Sequence, residues 1–298
     1  MPYTGRFAPS PTGELHFGSL LAALASYLDA RAHQGRWLLR IEDLDPPREQ
    51  PGVKQRFPAI METFGLHWDG EVTFQSQRLN IFRQVLDQLI DQGDAYPCGC
   101  SRKQLQLRSG SAIYDRFCTQ PDNRQQDKPQ APAAVRADCG PLSHISRFDD
   151  LIQGPQALAM REIGDFVIFR KDGLFAYQLA VVVDDYLQGI SHVVRGSDLL
   201  DETHRQLRLQ HLLGYPHPAY AHIPVASNSA GQKLSKQTYA HALDCSSPIP
   251  QLIDALDFLG QQPIRELTDG TVEEVIDWAR QHWQRDKIPA LKHQLWKG

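Results

Sequence analysis

A histidine, a glycine and a serine close a proline- and glycine-rich turn near the N-terminus, in the run Arg6-Phe-Ala-Pro-Ser-Pro-Thr-Gly-Glu-Leu-His-Phe-Gly-Ser19. More than two hundred residues later, Gly231-Gln-Lys-Leu-Ser-Lys236 places two ammonium groups on a short glycine-led loop. These residue types suit phosphate handling. An apolar segment from Tyr3 to Ala8 precedes the turn, and the leucine spacing predicts an amphipathic helix that starts near His16 and runs through Leu20, Leu21, Leu24 and Leu28. His16 and Gly18 then sit at a helix N-terminus, where free backbone N–H groups and a partial positive charge attract an anion. Gly18 permits close backbone approach, and the imidazole adds a donor. Lys233 and Lys236 are suited to stabilising a pyrophosphate leaving group as negative charge builds on it. Together the two runs describe a split nucleotide site.

The elements that must hold these residues read as alternating strands and helices with one interruption. Trp37 to Ile41 reads as a strand, and Val53 to Phe64 and Leu79 to Ile90 as helices. The chain then turns polar and irregular from Pro97 to about Gly164, with a Pro/Gln-rich loop from Gln120 to Pro132. Alternation returns with Phe166 to Phe169, Ala176 to Val183, His192 to Arg195, a helix from Glu202 to Leu213, and Ala221 to Val225. From Ser247 the pattern is helical, with one stripe of Leu252, Ile253, Leu256 and Leu259 and another of Val272, Val275, Ile276 and Ala279. The expected fold is α/β, a doubly wound parallel sheet of Rossmann type with its ligand site at the C-terminal ends of the strands. Its expected parts are residues 1–97 and 165–236 as two halves of a catalytic domain, 98–164 as an insertion, and 237–298 as a helical appendage.

Glu42 follows the strand that ends at Ile41, which places its carboxylate at a sheet edge beside Arg6 and Ser10. A zwitterionic amino acid needs such a mixture. Its ammonium wants a carboxylate and a hydroxyl, and each of its carboxylates wants an arginine fork. In the insertion, Cys98-Gly-Cys100 is followed by Cys118. Two thiolates at C-x-C spacing reach one cation and Cys118 supplies a third, a sulfur-rich set that suits one structural Zn²⁺ per chain. No histidine lies between Cys100 and Cys118, so the fourth ligand is open among Tyr114, Cys139, His144 and water.

Four stretches in chain order, Arg6–Ser19, Leu39–Asp45, Val182–Gly196 and Lys233–Gln237, resemble one enzyme family. His16-Phe-Gly-Ser19 and Lys233-Leu-Ser-Lys-Gln237 resemble the HIGH and KMSKS signatures of class I aminoacyl-tRNA synthetases, with Ser19 at the fourth HIGH position and Leu234 in place of the KMSKS methionine. Arg6 to Gly13, Leu39-Arg-Ile-Glu-Asp-Leu-Asp45 and Val182-Val-Asp-Asp-Tyr-Leu-Gln-Gly-Ile-Ser-His-Val-Val-Arg-Gly196 resemble the glutamyl-tRNA synthetases in particular. The resemblance implies a glutamate pocket of Arg6, Phe7, Ala8, Pro9, Ser10, Glu42, Tyr177 and Arg195, with Glu42 and Ser10 on the α-amino group and Arg195 on the side-chain carboxylate. Gln178 stands where that family has an asparagine. The resemblance implies an ATP site of His16, Gly18, Ser19, Lys233, Ser235 and Lys236, with Mg²⁺ on the phosphates. Catalysis would fall to His16, Gly18, Lys233 and Lys236, Lys236 being the more critical lysine. The implied reaction is attack of the glutamate α-carboxylate on the α-phosphorus of ATP, without a side-chain nucleophile. In the matching branch a tyrosine is a zinc ligand, which selects Tyr114.

The chain ends about sixty residues after Lys236, short of the ~100–150 residues that an anticodon-reading module would occupy. That architecture resembles the glutamyl-queuosine tRNA(Asp) synthetases, which activate glutamate without tRNA and attach it to the queuosine base in the anticodon of tRNA(Asp). The alternatives are a glutamyl-tRNA synthetase fragment or form that charges a 3′ end, a non-catalytic binding paralogue, and a ligase for a small-molecule acceptor.

Composition limits the partners. A 298-residue chain with 41% hydrophobic residues can bury a large core, and its net charge of −4 argues against indiscriminate nucleic-acid binding while allowing a local basic face. Arg102, Lys103, Arg108, Lys287, Lys292 and Lys297 are candidates for RNA phosphates, and Trp68, Tyr96 and Phe117 for stacking on an unpaired base. Five cysteines, an odd number, fit a reduced compartment. With no long apolar run and no signal-peptide pattern, a cytoplasmic monomer with no membrane association is expected.

Overall fold

The computed structural model describes residues 2–111, 113–120, 133–227 and 241–296. Lys233, Ser235, Lys236 and Lys297, and all of the expected 120–132 loop except Gln120, lie outside the described residues.

The strand β1 (Thr4–Phe7) leads into α1 (Phe17–Ala32), which returns the chain to β2 (Arg36–Ile41), paired in parallel with β1 so that Thr4 lies opposite Arg36. Next comes α2 (Phe57–Thr63), shorter than the helix expected from Val53. Residues 51–56 form turns instead, with Gly52 at φ +77° and Pro58 fitting the first helical turn. Then β3 (Thr73–Phe74) adds a short parallel pairing to β2, Arg40 lying opposite Thr73, and α3 (Leu79–Asp91) follows.

The described part of the stretch read as irregular contains regular elements. It holds β4 (Ala95–Cys98), α4 (Arg102–Ser109), β5 (Ala134–Ala137), β6 (Ile145–Asp150), β7 (Gly154–Ala159) and α5 (Met160–Ile163). Its strands are short and polar, and in β6 (Ile-Ser-Arg-Phe-Asp-Asp) the two buried positions, Ser146 and Asp150, are polar, so hydrophobic periodicity gave little signal there. Then β8 (Phe166–Phe169) pairs antiparallel with β5, making a three-stranded sheet in the order β4-β5-β8.

The second α/β run is α6 (Tyr177–Leu187), β9 (His192–Gly196), α7 (Thr203–Leu213) and β10 (Ala219–Ile223), with Ala219 opposite His192 in parallel. The hairpin β6–β7 joins this set, β6 running parallel to β10 with Asp150 opposite Tyr220. Beside β1, the Ser191 N–H donates to the Thr4 carbonyl (3.0 Å), which brings β9 alongside the first parallel set. The two runs therefore diverge from β1 and β9.

After β11 (Val225–Ser227), the tail forms α8 (Pro248–Phe258), α9 (Val272–His282) and β12 (His293–Leu295), the last pairing in parallel with β11. Leu252, Leu256, Leu259, Val275, Ile276 and Ala279 share one apolar core with α1 and the β1–β2 sheet. This explains why α1 is not amphipathic as expected. It packs against β1 and β9 as well as α8 and α9, and buries Ala23, Ala25, Tyr27 and Ala30 in addition to its leucines. Asp29, buried on α1, accepts hydrogen bonds from Tyr3 Oη (2.6 Å), Trp283 Nε1 (3.0 Å) and Arg285 Nη1 (3.2 Å), tying the tail to the first strand. No helix of the described residues is long and apolar enough to cross a membrane.

Candidate active site and cysteine cluster

Where β1 and β9 diverge, a cavity of about 280 Å³ opens at their C-terminal ends, lined by Arg6, Phe7, Ala8 and Ser10 after β1 and by Val194, Arg195 and Gly196 from β9. His16, Gly18 and Ser19 line it from the start of α1, and Tyr177 from the start of α6. This is the switch point at which open α/β sheets hold ligands. A second lobe shares Ser10 and Tyr177 and includes Glu42. Pro9 lines neither lobe, but its carbonyl accepts the Glu42 N–H (3.0 Å), fixing the turn against the end of β2.

His16 is the N-cap of α1. Its Nδ1 accepts from the Gly18 N–H (3.1 Å), and the Ser19 hydroxyl accepts from the His16 N–H (3.3 Å). A Cβ at Gly18 would lie 3.0 Å from His16 Cε1, so glycine lets the ring close over the helix end. The expectation of free N–H groups needs correction. Gly18 donates to the ring, and Ser19 and Leu20 donate to the His16 carbonyl. Because Nδ1 accepts, the ring proton sits on Nε2, so the helix start offers an imidazole donor and its dipole more than bare amides. Ala242 forms an antiparallel bridge with His16, and the Leu243 N–H donates to the Leu15 carbonyl (2.9 Å). The chain that resumes just after the two-lysine run thus docks on the histidine of the first run.

The amino-acid lobe rests on a buried charge network. Arg6 Nε donates to Asp185 Oδ1 (3.1 Å), and Arg40 Nη2 reaches both Asp185 Oδ1 (2.8 Å) and Glu42 Oε1 (3.2 Å). Burial raises Glu42, against the pull of Arg40 and Arg6. Burial acts on Asp185 too, but Arg6 and Arg40 outweigh it and hold that carboxyl low. Arg6, expected to meet ligand directly, is therefore anchored by its Nε edge. Arg195 Nη1 donates to the Tyr177 hydroxyl (3.4 Å), and its Nε donates to His222 Nε2 (3.0 Å). Gln178 turns away, accepting from Gln206 Nε2 (3.1 Å) and donating to Glu202 on the α7 side.

Asp185, Arg40, Thr203, His222 and Asp150 were not singled out in the sequence as site residues. For Arg40 a signal existed, since it shares the face of β2 with Glu42 at period two, a charge placed where a core residue belongs.

In the insertion, Cys98, Cys100 and Cys118 gather with their sulfurs within 4.8 Å of one another, Cys100 and Cys118 at 3.3 Å. The Tyr114 hydroxyl lies 3.9 Å from Cys100 Sγ and accepts the Cys118 N–H (3.0 Å). Cys139 belongs to a different group, receiving Arg116 Nη2 (3.2 Å) beside Asp165, and His144 lines a separate cavity with His204 and His217. Three thiols and a phenol make a donor set that fits a tetrahedral soft cation.

Between this cluster and the amino-acid lobe lies a groove of about 930 Å³ lined by Arg48, Arg102, Arg136, Arg170, Lys171 and Arg205. Of the other RNA candidates, Arg108 is paired with Asp115 (2.9 Å) and lies over Phe117, and Lys292 lies 3.9 Å from Asp201. Trp68 packs against the main core, and the Tyr96 hydroxyl donates to Asp165.

Residues 3–248 match the family model of tRNA synthetases class I (E and Q), catalytic domain. A glutamyl-Q tRNA(Asp) synthetase of Pseudomonas putida (strain W619) is 52% identical over 287 residues, covering 96% of this chain and 94% of its own length. One of Aromatoleum aromaticum is 48% identical, covering 97% of this chain and 91% of its own. In fold, the chain matches a glutamate-tRNA synthetase from Elizabethkingia anophelis with a TM-score of 0.82 at 23% identity, covering all of this chain and 68% of that one.

Proposed function

The chain belongs to the class I tRNA synthetases of the E and Q group, and on that premise we propose that it activates L-glutamate with ATP and transfers it to the queuosine base of tRNA(Asp). It is an ATP-dependent ligase. The observation that carries the activation step is the juxtaposition of Glu42, Ser10, Tyr177 and Arg195 around one cleft that also opens on the His16 helix start. Glu42 and Ser10 take the ammonium, and Arg195 takes the side-chain carboxylate. Arg6, anchored through Asp185, adds positive charge where the α-carboxylate must turn toward ATP. His16 Nε2 holds a phosphate oxygen, and Lys233 and Lys236 stabilise the departing pyrophosphate, consistent with the docking of Ala242 on His16. Mg²⁺, arriving with ATP, neutralises the phosphates.

The acceptor is assigned from the relatives, whose names specify it. The basic groove beside the cleft suits the phosphates of an anticodon loop, with the base entering toward the adenylate. Cys98, Cys100, Tyr114 and Cys118 would hold one structural zinc ion, which would stiffen the wall of this groove. The protein works as a cytoplasmic monomer.

Incubation with ATP, Mg²⁺ and labelled glutamate tests the reading, with tRNA(Asp) bearing or lacking queuosine and tRNA(Glu) as acceptors and nuclease mapping of the label. Label in the anticodon loop of queuosine-containing tRNA(Asp) alone is expected. Label at the 3′ end of tRNA(Glu) would overturn it.

A further inference from the structure

Behind Arg195 lie two ionisable groups for which the activation chemistry has no use. Asp150 ends β6 and His222 lies in β10, and both side chains are fully buried. They meet because β6 runs parallel to β10. Asp150 Oδ2 is 2.5 Å from His222 Nδ1. Asp150 Oδ1 accepts three backbone N–H groups, from His222 (3.0 Å), Ile152 (3.0 Å) and Gln153 (2.9 Å). A carboxylate surrounded by donors stays ionised and requires the ring proton on Nδ1. His222 Nε2 is then a lone-pair acceptor, and it receives Arg195 Nε at 3.0 Å. Burial pushes His222 down to about 4 despite the Asp150 hydrogen bond, the Arg195 charge adding to the fall, so the ring remains neutral beside the guanidinium.

The rest of the guanidinium is held as firmly. Nη2 donates to Thr203 Oγ1 (2.8 Å) and the Leu199 carbonyl (3.3 Å), and Nη1 to the Tyr177 hydroxyl (3.4 Å). With Nε and Nη2 engaged in the wall, Nη1 is the part of the fork left to serve the cleft. A flexible arginine would accommodate several anions. One fixed at three of its edges presents donors in a single plane, and a glutamine amide group would set its own N–H donors against them.

We infer that Asp150 and His222 are positioning residues for amino-acid selection: Asp150 sets the His222 tautomer, and the neutral imidazole aims Arg195 at the side-chain carboxylate of glutamate. This rests on the reading of Arg195 as the carboxylate partner. The relay never touches substrate. It acts through one hydrogen bond, Arg195 Nε to His222 Nε2, whose direction is set by the proton on the other nitrogen of the same ring.

The test is Asp150→Asn. The three backbone N–H groups hold the amide oxygen in place of Oδ1, which turns the Asn NH₂ toward His222. The ring must then accept at Nδ1 and carry its proton on Nε2, donor against donor with Arg195 Nε. The shape is kept and the tautomer is reversed, as in a catalytic-triad aspartate changed to asparagine. In glutamate-dependent pyrophosphate exchange, the glutamate KM is expected to rise about 100-fold, with the ATP KM within about two-fold and discrimination against glutamine reduced about ten-fold. His222→Gln, which keeps an acceptor near the Nε2 position, is expected to lie within about ten-fold of the unmodified protein. A folded Asp150→Asn protein with an unchanged glutamate KM, or one in which both KM values rise together, would overturn the relay. If that variant does not fold, His222→Leu removes the acceptor of Arg195 Nε outright and carries the same criterion. An unmodified protein that exchanges with no glutamate at all would instead overturn the underlying functional reading.

Discussion

The amino-acid cleft and the cysteine cluster both crowd ionisable side chains, but they are held together differently. In the cleft, Arg6, Arg40, Glu42 and Asp185 are buried and cross-paired, and the wall around them belongs to large apolar cores built on α1 and α6. Each of these four charges has an opposite charge within hydrogen-bond reach. In the cluster, three thiols and a phenol converge on a core of Cys98, Leu105 and Tyr114, with Tyr96, Cys100 and Cys118 the partly buried residues packed around it among the described residues. Among the described residues, Arg108 Nη2 lies 3.5 Å from Cys100 Sγ and Arg136 lies 4.1 Å over the Tyr114 ring. A core that small contributes little to stability, so a cation bound by the thiols would matter to the cluster in a way that no ligand matters to the cleft, which rests on tertiary packing. The cleft is therefore assembled before ligand arrives, whereas the proposed zinc ion would supply the cluster with stability that its small core does not.

The sharpest way to break the contrast is Arg195→Ala. Leaving Tyr177, Thr203 and His222 facing an empty space and the substrate carboxylate unpaired is expected to lower kcat/KM for glutamate by about 1,000-fold, read by pyrophosphate exchange. Because the cleft does not need the cation, the melting temperature is expected to fall by only a few degrees.

The cluster is expected to respond in the opposite sense. Protein purified without chelator should contain one zinc per chain by metal analysis, and Cys100→Ser or chelation should remove it. Transfer to RNA is then expected to fall about ten-fold while glutamate activation stays within about two-fold. Absence of zinc, or equal loss of both steps, would remove the distinction between the two regions.

The smallest expected effect is on stability against pH. His222 is held at about 4 in the fold, below the ~6.5 of an unfolded chain. Between those values the unfolded chain binds a proton that the native protein does not, so stability rises with pH through the window and is lost as pH falls from about 6.5 to about 4. A contribution of about 1–3 kcal/mol is expected, read by denaturant unfolding at a series of pH values and flattened in His222→Gln. The depressed Asp150 loses its own contribution below that window.

Much of the site is legible because its residues lie next to backbone signals. His16 and Gly18 stand at a turn-to-helix boundary, Glu42 one residue beyond a strand, and Arg195 inside one, and such boundaries are local properties. The insertion resisted the same treatment. In β6, Ser146, Arg147, Asp149 and Asp150 mask the period of a strand whose place comes from its partners β7 and β10. The free amides expected at the start of α1 also failed, because a histidine side chain competes for the Gly18 N–H and the spacing of types does not show which acceptor wins.

By itself the sequence determined the chemical inventory of this protein: a helix start with His16, one carboxylate and two arginines near strand ends, and three cysteines at metal-binding spacing. Only the tertiary structure decided which partner each charge takes. Arg6 meets Asp185 across 179 positions, and His222 meets Asp150 across 72. Those pairings depend on the register of strands and helices that burial of the apolar faces sets. A charge taken out of water must be matched by whichever opposite group that register brings within about 3 Å.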